Sequence, residues 1–159
     1  MIRIKGGEGL KAQNNQRIID EMGRWLSGYK WDCFATLTFD PLNPLKDTIS
    51  AKKRFRQWIN HELRKDGRVV QFALGVERFR MSDFLHLHAL INGVGDFKFS
   101  EMGMAWRKRN VGYTTIRKYD PEKGASWYVS KYTTGGNCDW DFDFRGFPQA
   151  ALIGGEMMK

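Results

Sequence analysis

Cysteine is scarce. The chain has two, Cys33 and Cys138, and neither belongs to a CxxC pair. That excludes a disulfide framework and a cysteine zinc site, and it fits a reducing compartment. Cys33 sits in an apolar run and reads as core. Proline is scarce too, four in all, and no Pro- or Ser-rich linker or repeat divides the chain. No apolar run approaches the roughly 20 residues that span a bilayer, and the opening MIRIKGGEGLK lacks the apolar stretch of a secretion signal. The expected location is the cytoplasm, that of a host cell if the chain is viral or plasmid-borne, with no membrane partner. There is no Gly-rich phosphate loop either, so any duplex unwinding must come from another protein.

What is present points to a polyanion. The 159 residues suit a single domain, 1–159, with a hydrophobic core. The net charge is +8 and the pI about 9.6, a balance that favours nucleic acid. Aromatic residues make up 14%, and aromatic faces mixed with cations suit unstacked bases better than a duplex.

The hydrophobic pattern predicts a helix over about Asn14–Tyr29, after an irregular lead with a short strand at Ile2–Ile4. The run from Trp31 to Phe39 reads as a strand ended by Asp40-Pro41. Asn43-Pro44 reads as the start of a helix reaching Lys65, with Ile49, Phe55, Trp58, Ile59 and Leu63 as its buried stripe. Val69–Arg78 and Phe84–Asn92 read as a hairpin. A helix at Ser100–Arg109 with Ser100 as its cap, a strand at Gly112–Lys118 and a helix at Pro121–Thr134 follow. Trp140, Phe142 and Phe144 alternate with Asp139, Asp141 and Asp143, which predicts an edge strand whose aspartates face water. A calcium loop there is excluded, because Phe144 and Ala150 stand where glycine and glutamate are required. Without the first helix the order is β-α-β-β-α-β-α. The expected fold class is α+β, a ferredoxin- or RRM-like antiparallel sheet with helices on one face and the other face free for a ligand, plus a tyrosine-bearing helix and an N-terminal helix.

Three groups carry the chemistry. In the third strand Leu85, Leu87, Ala89 and Ile91 should pack on the helices, so His86 and His88 share the open face and can share a metal ion. An isolated HxH is more often a pair of surface histidines. Glu77, closing the preceding strand, falls near them if the hairpin turns near Ser82; it can equally balance Arg78 and Arg80. On the last helix Tyr128, Lys131 and Tyr132 share a face. A phenol with a pKa near 10 becomes a useful nucleophile beside a cation and a polarised phosphate, although a lone tyrosine pair usually just packs. Thr36 and Thr38 lie on one face of the first strand and could stand beside the histidines. Lys52, Lys53, Arg54, Arg78 and Lys118, together with Arg107, Lys108, Arg109 and Arg117, are candidate phosphate contacts, each more often simply solvated. His61 has no evident role.

FATLTF, HLHAL and YVSKY, in this order between Cys33 and Thr134, resemble the HUH endonuclease superfamily, specifically its rolling-circle replication initiators. The resemblance implies His86 and His88 as metal ligands with Glu77 as the third, Tyr128 as nucleophile, Lys131 as the motif lysine and Tyr132 as a second tyrosine. It further implies Mg²⁺ or Mn²⁺ as cofactor, origin or hairpin single-stranded DNA as substrate, a 5′-phosphotyrosine intermediate, and host helicase and polymerase as partners. A small single-tyrosine transposase and a non-catalytic RRM-like binding module are the alternatives. The first would not need the Lys-Tyr ending; the second needs aromatic residues on the open face, where Phe34 and Phe84 are the exceptions to threonine and histidine.

Overall fold

The computed structural model describes residues 6–79, 84–131 and 138–147. The strand expected at Ile2–Ile4 lies outside them. The elements are α1 (Gly6–Ser27), β1 (Cys33–Leu37), α2 (Thr48–Trp58), β2 (Gln71–Arg78), β3 (Leu85–Asn92), α3 (Phe99–Asn110), β4 (Thr114–Lys118), α4 (Ala125–Ser130) and β5 (Cys138–Asp143). The sheet order is β4-β1-β3-β2-β5 and every neighbouring pair is antiparallel. The first four strands have the ferredoxin-like arrangement, with β1 and β3 central. β5 extends the sheet on the β2 edge. No helix among the described residues is long and apolar enough to cross a membrane.

One sheet face is a continuous core. Cys33, Ala35 and Leu37 from β1, Phe72, Leu74 and Val76 from β2, and Leu85, Leu87, Ala89 and Ile91 from β3 are buried there with Phe55, Trp58 and Trp106. Those last three come from α2 and α3 and supply the large apolar areas that hold the helix layer down. The Trp58 indole donates to the Met102 carbonyl at 3.2 Å, so its polar atom is not stranded in the core.

The opposite face is half covered, which the expectation of a free face did not foresee. Leu26 and Trp31, together with Ala125 and Val129 of α4, close over Ala73 and Leu90. α1 and α4 meet where Gly23 faces Trp127: a Cβ on Gly23 would come within 2.5 Å of the indole ring. The cover stops short of the end of the sheet that carries His86.

Several boundaries differ from the sequence reading. α2 begins at Thr48, not at Asn43, because the Asp47 side chain accepts from the Ile49 and Ser50 amides and caps it. Asp40 instead accepts from the Leu42 amide and shapes a turn around Pro41. Ile49 is 70% exposed; it lies about 120° round the helix from Phe55, and Ala51 holds the buried place. The helix continues as a π-type turn, Ile59–Leu63. Ser100 lies inside α3, whose cap residue is Lys98. The expected helix over Pro121–Thr134 is a 3₁₀ turn, Pro121–Lys123, a left-handed Gly124 and the short α4.

The β5 aspartates do not simply face water. They lie on the α2 side of the sheet, where Asp139 pairs with Lys52 at 2.8 Å and Asp141 receives a two-pronged contact from Arg56 at 2.6 and 2.8 Å. Asp143 is buried and accepts from Arg64 at 2.9 Å and Arg145 at 2.7 Å. Those guanidiniums, Arg145 first, hold its carboxyl far below the usual carboxylate range. Cations i and i+4 on α2 thus match carboxylates i and i+2 on β5, and the edge strand is fastened to the helix layer. A period-2 pattern with aspartates fits this face as well as a wet one, so sequence alone does not separate them.

Candidate metal and nucleophile site

The strict alternation of β3 aims His86 and His88 at the half-covered face. Register then gathers their neighbours. Glu77 on β2 stands directly opposite His86, and Thr36 on β1 directly opposite His88. Residues opposite each other in an antiparallel pair project to the same side. The ligand atoms of Glu77, His86 and His88 all lie within 4.8 Å of one another. His88 Nε2 is 2.9 Å from a Glu77 carboxylate oxygen and its Nδ1 is 3.4 Å from the Thr36 hydroxyl. His86 meets the Phe79 ring edge-on, with centroids 4.1 Å apart.

Burial lowers the pKa of both imidazoles, more than the Glu77 carboxylate raises it. Both rings are therefore neutral near pH 7, and the His88–Glu77 contact is a hydrogen bond to a neutral ring. Neutrality is what a metal ligand requires, since a protonated nitrogen has no lone pair to give. With the ring donating from Nε2 to Glu77, Nδ1 accepts from Thr36. If Nε2 is taken by a cation, Nδ1 carries the proton and Thr36 accepts it. A hydroxyl can serve both tautomers.

The donor set fits a divalent ion: two imidazole nitrogens and a carboxylate oxygen, converging from two strands locked by a hairpin. Nitrogen ligands suit Mn²⁺ and later first-row ions better than Mg²⁺, which prefers oxygen.

α4 brings the phenol. Ala125 and Val129 are buried, and the turn is fixed by a Tyr119–Ser126 hydroxyl contact at 2.9 Å and by Ser130 donating back to the Ser126 carbonyl at 2.7 Å. The Tyr128 ring then stands edge-on to His88, centroids 4.8 Å apart, and edge-on to Phe34 at 6.1 Å. Lys131 Nζ lies 5.1 Å from the centroid of the Tyr128 ring, within cation–π range. Tyr132 lies outside the described residues. The triad, Tyr128 and Lys131 line one cleft of about 700 Å³, with Thr36, Arg117 and Lys118 also in its lining.

The other candidates disperse. Thr38 is bonded through its hydroxyl to the Tyr113 backbone. Arg78 points to the helix side, where its guanidinium donates to the Lys46 carbonyl. Lys52 is paired with Asp139. Lys53 and Arg54 are exposed on α2, across the sheet from the triad, and Arg54 reaches Asn110 at 3.4 Å. Asp120, Lys123 and Trp127 line the cleft and were not singled out by sequence. Their only signal was proximity to the tyrosine helix, because no spacing rule marks a residue on a 3₁₀ turn.

Residues 32–137, two thirds of the chain, match the family model of the replication-associated protein ORF2. No curated protein and no solved structure matches.

Proposed function

The chain belongs to the replication-associated protein ORF2 family, and on that premise we propose that it is a metal-dependent single-stranded DNA endonuclease and strand transferase of the HUH type, which initiates rolling-circle replication. The observation that carries the proposal is the Tyr128 ring edge-on to His88, within a cleft that also holds Glu77 and His86. A binding module has no use for a phenol beside three converging metal-ligating groups.

Glu77, His86 and His88 would hold Mg²⁺ or Mn²⁺. A bound divalent cation would withdraw charge from the scissile phosphate and orient it. The chain's own part is positioning. α4 presents the Tyr128 hydroxyl from one side of the cleft, and Lys131 supplies positive charge where the phenolate forms. The Tyr128 oxygen bonds to phosphorus and the bond from phosphorus to the 3′-oxygen breaks. Net, the phenolic proton ends on that 3′-oxygen. The products are a 5′-phosphotyrosine and a free 3′-OH. The phosphate remains an ester, so the reverse reaction rejoins a strand without ATP, and the 3′-OH can prime a host polymerase. With no phosphate loop in the sequence, a host helicase would unwind the duplex. Tyr132, four residues on, would make a second transfer if it is also a nucleophile. Lys53, Arg54, Arg117 and Lys118 are the exposed cations proposed to meet the DNA backbone.

The test is a denaturing gel of the protein with a labelled random single-stranded pool and Mn²⁺, with and without EDTA. A metal-dependent, SDS-resistant band that disappears in Tyr128→Phe is expected. Binding without an adduct under any divalent metal would refute the enzyme and leave the RRM-like module.

A further inference from the structure

We propose that the hollow beside the metal triad is a nucleobase pocket, with Tyr113 as its stacking platform and Asp40 as the group that reads the base edge. The inference rests on the strand-cleaving reading and adds a substrate subsite to it. The hollow has a volume of about 350 Å³ and lies at the uncovered end of the sheet. It shares Thr36, His86 and Thr115 with the larger cleft. A group lodged in it and a phosphate at the triad therefore belong to the same nucleotide or to neighbours.

The lining decides the ligand class. It holds no lysine or arginine and does include the Asp40 carboxylate, so a phosphate is disfavoured. Phe39, Leu45, Phe84 and Tyr113 make apolar walls, and threonines supply hydroxyls. Flat apolar faces with polar edges are what a base offers and a backbone does not. One exposed ring on a protein surface needs no explanation. Here Tyr113, 77% exposed, and Phe84, 38% exposed, line the same hollow.

Tyr113 is also held in place. Its amide donates to the Thr38 hydroxyl at 2.6 Å and its carbonyl accepts from the Thr38 amide at 3.0 Å. The preceding Gly112 lies so close to β1 that a Cβ would meet the Thr38 carbonyl oxygen at 1.9 Å, so only glycine permits this approach. The backbone is fixed and the ring is left in water. Such a ring stacks on a base at little entropic cost. Asp40 has one oxygen engaged by the Leu42 amide at 2.9 Å. Its other oxygen can accept from an exocyclic amine, which cytosine, adenine and guanine carry and thymine lacks.

The test is equilibrium binding in EDTA, so that no strand is cut. The probe is an oligonucleotide enriched from a random single-stranded pool, then scanned with one abasic site at a time. In the wild type one position is expected to cost about tenfold. Tyr113→Ala should bind the intact oligonucleotide about tenfold more weakly and lose nothing further at that position. Thymine there should weaken the wild type and leave Asp40→Asn indifferent. No enriched sequence, or a Tyr113→Ala protein that keeps the full abasic penalty at every position, overturns the pocket. Thymine preferred at that position overturns the role of Asp40. Adduct formation with Mn²⁺ on the same oligonucleotide reports separately: its absence, with the abasic pattern intact, refutes the nuclease and not the pocket.

Discussion

β3 carries two chemistries on its two sides. Leu85, Leu87, Ala89 and Ile91 enter the core under α2 and α3. His86 and His88 go the other way, to Glu77, Thr36 and Tyr128. Two residues further along that second side, Leu90 is again buried, under α1 and α4. The second face is therefore graded, apolar where helices cover it and polar where they stop. The covered end holds the tyrosine helix and the uncovered end leaves room for a strand of DNA. Fold and site are interleaved at single-residue spacing, and they should still separate under mutation.

The sharpest break of that comparison substitutes neighbours. Leu87→Ala should lower stability by about 2–5 kcal/mol, because a fully buried side chain leaves a cavity. At a temperature where the variant stays folded it should still bind metal. His86→Ala should do the reverse. It should melt near the wild type and lose more than the about 10–100-fold in metal affinity that an outer partner costs. Calorimetric titration with Mn²⁺ beside thermal melts checks both, and equal effects on both readouts would deny the separation.

Thr36→Val sharpens it further. The side chain keeps its shape and loses the hydroxyl that meets His88 Nδ1. Metal affinity should fall about 10–100-fold while the melting temperature moves little. Unchanged affinity would mean that Glu77 and packing alone orient the ring.

The same contrast reaches the sheet edge through pH. Asp143 is buried and its pKa is depressed by Arg145 and Arg64. In the unfolded chain an aspartate titrates near 4. The stabilisation is therefore complete above about pH 5 and is lost as pH falls through 4 towards the lower folded value. Asp143→Asn should cost about 1–3 kcal/mol at pH 7 and flatten the acid limb of the stability curve, followed by tryptophan fluorescence. An unchanged acid limb would show that β5 is not held by this carboxylate.

How much of this was legible follows from which rules are local. Alternation is local, so the two sides of β3 and the pairing of His86 with His88 could be read directly. The ferredoxin-like order followed from element succession, and it placed Thr36 beside His88 before any coordinates. Cap competition is less visible: Asn43-Pro44 is a good helix start, and Asp47 is a better one because its carboxylate reaches two amides. Which side of an edge strand is wet depends on what a distant helix presents, so the bonds from Lys52 and Arg56 to Asp139 and Asp141 had no sequence signal. The same holds for the walls of the cleft, which come from a 3₁₀ turn and a loop without a period.

The smallest expected effect tests whether the adjacent lysines of α2 differ. Lys52 is bonded to Asp139 and Lys53 is exposed. Neutralising Lys53 removes a charge that costs the fold nothing. If DNA reaches that side, Lys53→Gln should weaken single-strand binding uniformly across sequences and reduce the log–log salt slope by about 0.7, the value for one phosphate contact on a single strand. Lys52→Gln should cost at most about 1 kcal/mol of stability, since the pair is partly solvated. Its salt slope should not move, because a cation already neutralised by a carboxylate releases few counterions from DNA. Fluorescence anisotropy across a salt series distinguishes them. Equal slopes for both variants and the wild type would place the DNA path wholly on the triad side, over Arg117 and Lys118, and leave α2 to the fold.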